Sequence, residues 1–182
     1  MTIHDIKDPL SSLVRWADQK GGDCCIIQGD TKLSYLKLLD YLSVADRRLE
    51  EYNQFDTAVV AFKDQLKALV YGIACLGRGI NIYLPGSFNL GAALKQLVPH
   101  GRKVILLHDR ADLETSIPNL CVQDLSLESN RLLFDFESWC LKSGVYLSGS
   151  GTTSGSQKLI YHRPDDLKSM IRRDCIARPF SE

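Results

Sequence analysis

The chain of 182 residues has no apolar run approaching the roughly 18 residues that a membrane-crossing helix needs. Its opening, MTIHDIKDPLSSLVRW, has neither a basic start nor an apolar stretch of signal-peptide length. It carries no net charge: twenty-two Lys and Arg balance twenty-two Asp and Glu, with no Lys/Arg block. That balance gives no reason to expect nucleic acid or an anionic membrane as a partner. There is no Cys-x-x-Cys pair, and no Cys/His spacing matches a zinc site, so no metal site is expected from the protein's own ligands. The six cysteines are Cys24, Cys25, Cys75, Cys121, Cys140 and Cys175. Most lie in apolar runs and read as reduced core residues of a cytoplasmic protein. Internal repeats are absent too. At 45% hydrophobic and 24% charged, the composition excludes a disordered chain and leaves a globular one, long enough for one good-sized core.

The apolar pattern is that of an α/β domain. PLSSLVRWAD (9–18) has helical spacing, and the glycines of KGGD end it. CCIIQGDTKLSY predicts a strand, a Gly-Asp turn and a second short strand. Ser34 suits an N-cap for a helix running to about Tyr52, with Leu38, Leu39, Leu42, Ala45 and Leu49 on one face. TAVVAF (57–62) is short, apolar and β-branched, as expected of a strand buried on both faces. A helix opened by Asp64, the strand INIYLP, the helix SFNLGAALKQLV and the strand KVILLHD follow. Strands and helices alternating at this spacing predict a mostly parallel sheet with right-handed crossover helices. From Asp109 to Lys142 the pattern weakens to surface loops with one short strand. GVYLSGS (144–150) and KLIYH read as strands, and a final helix is expected from Asp165 to about Ala177.

Between those last two strands, Ser148 to Ser156 is an unbroken run of glycine and hydroxyl residues, followed closely by Lys158. A phosphate chain needs many donors and close backbone approach. Glycine allows the approach, Ser and Thr add donors, successive N–H groups form an anion nest, and lysine adds a compact charge. Gly149, Gly151, Thr152, Thr153, Ser154, Gly155 and Lys158 supply all of these. The Walker A pattern is not met, because Lys158 lies three places beyond Gly155 and a strand follows rather than a helix. Nor is the Rossmann pattern, whose second gap is one residue shorter. A flexible Gly/Ser linker is the alternative. The paired threonines, the lysine and the apolar strands flanking tightly on both sides favour a strand–loop–strand phosphate clamp.

SGTTSGSQKLI resembles the phosphate-binding loop of the adenylate-forming (AMP-binding) superfamily, which includes acyl-CoA synthetases, nonribosomal peptide adenylation domains and luciferase-like ligases. The usual pattern is Ser/Thr-Ser-Gly-Ser/Thr-Thr-Gly-x-Pro-Lys-Gly. Ser150, Gly151, Thr152, Thr153, Gly155 and Lys158 match it if Ser154 is an insertion; Gln157 replaces the proline and Leu159 the last glycine. The pattern of the plant acyl-amido synthetases, Ser-Gly-Thr-Ser/Thr-x-Gly-x-x-Lys-Leu, fits without an insertion. Leu33, Ser34, Tyr35 and Leu38 resemble the family's early Leu-Thr-Tyr-x-x-Leu helix start, and residues 57–85 resemble the strand–helix–strand after it. His162 and Arg163 resemble the family's His-Arg after the loop, set closer to the lysine.

The resemblance implies the first part of such an enzyme's large domain: one truncated AMP-binding-type domain over 1–182, with the phosphate loop at 148–158 and no internal boundary. It implies ATP and Mg²⁺ as cofactors and a carboxylic acid as substrate, activated as an acyl-adenylate and passed to CoA, a carrier-protein thiol or an amine. Ser150, Gly151, Thr152, Thr153, Ser154, Gly155 and Lys158 would then bind the nucleotide phosphates. The family's adenine pocket, ribose-binding aspartate and catalytic lysine come later in its sequence, so no catalytic residue is assigned. Half an ATP site implies a complementing C-terminal half, or self-association through an uncovered sheet edge. A non-catalytic truncated paralogue used for binding or regulation is the second reading, and a small unrelated α/β phosphate-binding protein a remote third. His4, His100, His108 and His162 read as surface or structural residues, and Trp16 and Trp139 as packing residues. DRRLEEY and IRRD read as solvated helix faces.

Overall fold

The computed structural model describes residues 8–85, 97, 101–125, 139–149 and 158–177. Helix α1 (Pro9–Lys20) starts where Asp8 accepts the backbone N–H groups of Leu10 and Ser11, with proline at the position that needs no N–H. Strands β1 (Cys24–Gln28) and β2 (Thr31–Ser34) form a separate antiparallel hairpin about Gly29–Asp30. Ser34 caps α2 (Tyr35–Leu49), which buries Leu38, Leu39, Leu42, Ala45 and Leu49 and ends in a 3₁₀ turn at Glu50–Tyr52. Strand β3 (Thr57–Ala61) is buried at every residue. Asp64 caps α3 (Gln65–Arg78), and Gly79 ends it in the left-handed conformation (φ 88°), donating its N–H to Cys75. Then come β4 (Asn81–Leu84), β5 (Val104–His108), β6 (Asn119–Cys121), β7 (Val145–Gly149), β8 (Lys158–His162) and α4 (Pro164–Ala177).

The main sheet has the order β6-β5-β3-β4-β7-β8. Five strands are parallel, and β8 returns antiparallel to β7 at the edge. One face, carrying Ala58, Val60, Ile82, Ile105, Leu107 and Val145, packs with α1, α2 and α3 into the larger core. The other face, carrying Val59, Tyr83, Leu106 and Tyr146, packs with Leu97, Leu113 and Ile117. The expected mostly parallel α/β sheet is therefore present, and β3 and β5 are buried at every residue, as their continuous apolar runs predict. The helix expected at SFNLGAALKQLV lies outside the described residues except for Leu97. No described helix is long and apolar enough to cross a membrane.

Two expectations need correction. Cys75 is fully buried, and burial pushes its thiol up to about 12, but Cys24 and Cys121 are exposed and Cys25 and Cys140 half-buried. These five cysteines are free, yet mostly not core: β1 and β6 are short edge strands with an open side. Second, DRRLEEY is not a wholly solvated face. Asp46 is buried and pairs with Arg78 of α3 at 2.5 Å, because α3 crosses α2 there. Burial raises the Asp46 carboxyl above its usual range, and Arg78 acts against that rise.

Candidate phosphate-binding edge

In a parallel sheet, ligands meet the carboxyl ends of the strands. Two places on that edge matter here. The first is the switch point between β3 and β5, whose connections leave in opposite directions, to β4 and to β6. The second is the end of β7, from which the glycine–hydroxyl run departs.

The switch point is filled by the chain itself. The carboxylate of Asp109, just past β5, accepts the backbone N–H of Lys63 (3.1 Å) and of Asp64 (3.0 Å) at the start of α3. Partial burial pushes the Asp109 carboxyl up, but the two N–H donors and the nearby Lys67 ammonium outweigh it, and the group is held below the usual carboxylate range. Beside it, His108 is buried. Its Nδ1 accepts the N–H of Arg110 at 3.2 Å, so the proton sits on Nε2, facing Asn119 Oδ1 at 3.2 Å. Both ring nitrogens are engaged within the chain.

The β7–β8 hairpin has a locked base. Asn81 Oδ1 accepts the N–H of Gly144 (3.0 Å) and the hydroxyl of Tyr161 (2.8 Å), while its Nδ2 donates to the Asp56 carbonyl (3.0 Å). Ser143 donates to the Ile80 carbonyl at 2.8 Å. Gly144 has no room for a side chain: a Cβ there would run into the His162 carbonyl and lie 2.7 Å from the Tyr161 ring. That ring stacks on Tyr146 with centroids 4.6 Å apart, and Arg102 lies over the Tyr146 ring at 6.0 Å. From this base the ladder runs Val145↔His162, Tyr146↔Tyr161, Leu147↔Ile160, Ser148↔Leu159 and Gly149↔Lys158. The last rung lies at the carboxyl edge and joins the two ends of the 150–157 loop.

Of the residues expected to hold phosphate, Lys158 is thus the first residue of β8, opposite Gly149. Ser150, Gly151, Thr152, Thr153, Ser154 and Gly155 lie outside the described residues. Asn81, Gly144 and Asp109 are not marked by any motif. Gly144 had a visible signal, a glycine at a strand start, whereas Asn81 and Asp109 act across the sheet. Among the described residues no three His, Cys, Asp or Glu converge as metal ligands.

No protein-family model and no curated protein sequence matches the chain. Solved structures do. O-succinylbenzoate coenzyme A synthetase (MenE) from Bacillus subtilis, in complex with AMP, aligns with a TM-score of 0.74 at 17% identity, over 97% of this chain and 47% of that one. The N-terminal subdomain of Klebsiella oxytoca NpsA aligns at 0.65 and 14%, over 89% and 43%. A four-domain nonribosomal peptide synthetase bound to AMP and glycine aligns at 0.69 and 13%, over 96% and 13%. This chain therefore has the fold of the N-terminal part of the adenylate-forming superfamily, and it spans less than half of each of these structures.

Proposed function

We propose that this chain provides the triphosphate-holding part of an ATP-dependent carboxylate-activating ligase and acts with the remainder of that fold. The observation that carries this reading is the meeting of a motif with a place. The run at 150–158 joins antiparallel strands at the carboxyl edge of a sheet whose fold is shared with enzymes solved with AMP bound. In the proposed reaction a carboxylate oxygen attacks the α-phosphorus of ATP. The bond from that phosphorus to the β-bridging oxygen breaks, giving an acyl-adenylate and pyrophosphate. A thiol of CoA or a carrier protein, or an amine, then displaces AMP. The chain's own part is charge stabilisation and positioning. Thr152, Thr153 and Ser154 donate to the β- and γ-phosphates, Gly151 and Gly155 let the backbone approach, Ser150 opens the turn, and Lys158 adds charge. Mg²⁺, when bound, would neutralise phosphate charge, and no described residue is assigned to hold it. Residues 1–182 act as one unit in this reading, supported by a core that gathers side chains from α1 through α4.

A second reading is a non-catalytic binding or regulatory protein with this fold. Calorimetry of ATP–Mg²⁺ binding separates the two, using the wild-type chain and Thr152→Ala/Lys158→Ala, each alone and with the remainder of the fold. Binding lost in the variant supports the phosphate loop. Turnover of a carboxylic acid in the mixture supports the ligase. No binding in any mixture removes the catalytic reading.

A further inference from the structure

A hairpin with a tight turn takes its register from the turn, and a strand with one buried face takes it from its apolar alternation. The β7–β8 hairpin has neither guide. Residues 150–157 lie between the two ends of its last rung, Gly149↔Lys158, a longer connection than the turns that dictate register. Strand β8 carries aliphatic residues on both faces: Leu159 packs on the second core, and Ile160, on the opposite face, is 48% exposed. A slip of one residue exchanges one for the other, so burial separates the two registers only weakly. Strand β8 is also outermost, with β7 as its only partner among the described strands. A polar contact does separate them. The Tyr161 hydroxyl donates to Asn81 Oδ1 at 2.8 Å. Asn81 is a fixed point: its N–H (2.9 Å) and its Nδ2 (3.0 Å) both donate to the Asp56 carbonyl, and its Oδ1 accepts the Gly144 N–H (3.0 Å). It belongs to β4, so the phenol reaches from β8 past β7 to a third strand. A slip of one residue turns position 161 to the other face of the sheet, which breaks both this bond and the stack on Tyr146.

We propose that Tyr161 is a positioning residue: through Asn81 it sets the register of β8 and so decides which residues close the phosphate loop. The use made of that loop rests on the function proposed above; the register does not. From Tyr146↔Tyr161 the ladder runs without a break to Gly149↔Lys158. A register fixed near the amino edge of the sheet is therefore carried unchanged to the carboxyl edge. One residue of slip would bring position 157 or 159 opposite Gly149 and shorten or lengthen the run between the strands. A run of glycines and hydroxyl residues has no strong backbone preference of its own, so its ends must be placed from outside it. The rival anchor is α4. Arg163 alone separates it from β8, and its Lys168 pairs with Asp8 at 3.3 Å.

The test moves the phenol by one place at constant composition, in Ile160→Tyr/Tyr161→Ile. Cross-strand contacts measured by nuclear magnetic resonance on the full chain, without nucleotide, read the register. The expected result is that the register follows the phenol, with Tyr146 opposite position 160 and Gly149 opposite position 157. Retention of the wild-type pairs, 146 with 161 and 149 with 158, overturns the proposal and gives the register to α4. Tyr161→Phe keeps the ring stack and decides the matter if the exchanged chain does not fold. Saturation-transfer exchange should then show a minor register at 145–149 and 158–162, raised about five- to tenfold over wild type by the loss of one hydrogen bond. No rise overturns the proposal. ATP–Mg²⁺ calorimetry tests the consequence, under the conditions in which wild type binds. Affinity should fall at least about tenfold in the exchanged chain, because only chains in the native register compete for nucleotide. Unchanged affinity in a chain whose register has moved overturns the positioning role. A wild type that binds no ATP in any mixture removes the functional reading and the positioning role with it, while the resonance data still decide whether Tyr161 sets the register.

Discussion

Two places on the carboxyl edge of one sheet differ in what meets the strand ends. At the β3/β5 switch point Asp109 from the neighbouring strand end takes the N–H groups of Lys63 and Asp64 that lead into α3, and Asp64 takes those of Leu66 and Lys67 in its first turn. At the end of β7 there is no such internal carboxylate among the described contacts, and the chain continues into the glycine–hydroxyl run. Topology alone would favour the switch point as the ligand site. The hydrogen bonds argue against it: an anion arriving there meets a carboxylate already using the donors. The difference teaches that topology nominates a place on the edge, and the hydrogen bonds already made there can close it. Here that moves attention two strands across, from β3 to β7.

The largest effect expected on breaking this comparison is at the base of the hairpin. Gly144→Ala puts a methyl group against the His162 carbonyl, a backbone atom that yields only if β8 moves. We expect a loss of about 2–3 kcal/mol in urea unfolding. Asn81→Ala, which removes the shared acceptor of Gly144 and Tyr161, should cost about 1–2 kcal/mol. If Gly144→Ala leaves the unfolding midpoint unchanged, the hairpin base is not the rigid support described.

A smaller effect belongs to the switch point. Asp109→Asn keeps the shape but removes the charge on two backbone donors, and should cost about 1 kcal/mol at pH 7, the site being partly open to water. The pH dependence has a definite sign. The folded-state carboxyl is held below its ordinary value, so its contribution is present above the ordinary carboxylate range. It is lost as pH falls through the depressed folded value. The gap between wild type and Asp109→Asn should close below about pH 4. A gap that does not narrow at all as pH falls below the ordinary carboxylate range would mean that the charge is not what matters there.

Cys75 sharpens the contrast between core and edge with little energetic cost. Its buried thiol, raised to about 12, should resist an alkylating reagent in the native chain. The exposed Cys24 and Cys121 should react within minutes under the same conditions. Labelling of Cys75 at a rate like theirs would show that the α2–α3–β3 core opens freely.

The legible parts of the sequence were those where local pattern and final environment agree. TAVVAF predicts a doubly buried strand, and β3 is buried at every position. Ser34 and Asp64 cap the helices they precede. The parallel sheet follows from alternating elements with short links, and composition alone sets the glycine–hydroxyl loop apart from the rest of the chain. What was not legible depends on contacts between distant residues. Nothing near Asp109 in sequence indicates that it reaches the start of α3, and nothing near Asp46 indicates that Arg78, thirty-two residues on, lies across it. The cysteines misled for the same reason. Cys24, Cys25 and Cys121 sit beside apolar residues, but β1 and β6 each lie at an edge where only one side is covered.

The smallest effect on stability should come from the residues on which the functional reading depends. Lys158 opens β8 at the mouth of the hairpin, beyond the packed Tyr146–Tyr161 pair and the locked base. We expect Lys158→Ala to change unfolding stability by no more than about 0.5 kcal/mol, since it stands at the last rung of the ladder. Its effect on nucleotide binding should be far larger, because a compact charge near phosphate has no substitute in that run. Equal and large losses in both measurements would make Lys158 a structural residue and the run a connecting turn. A binding loss alone would separate the two ends of this hairpin, the base holding the fold and the mouth holding the ligand.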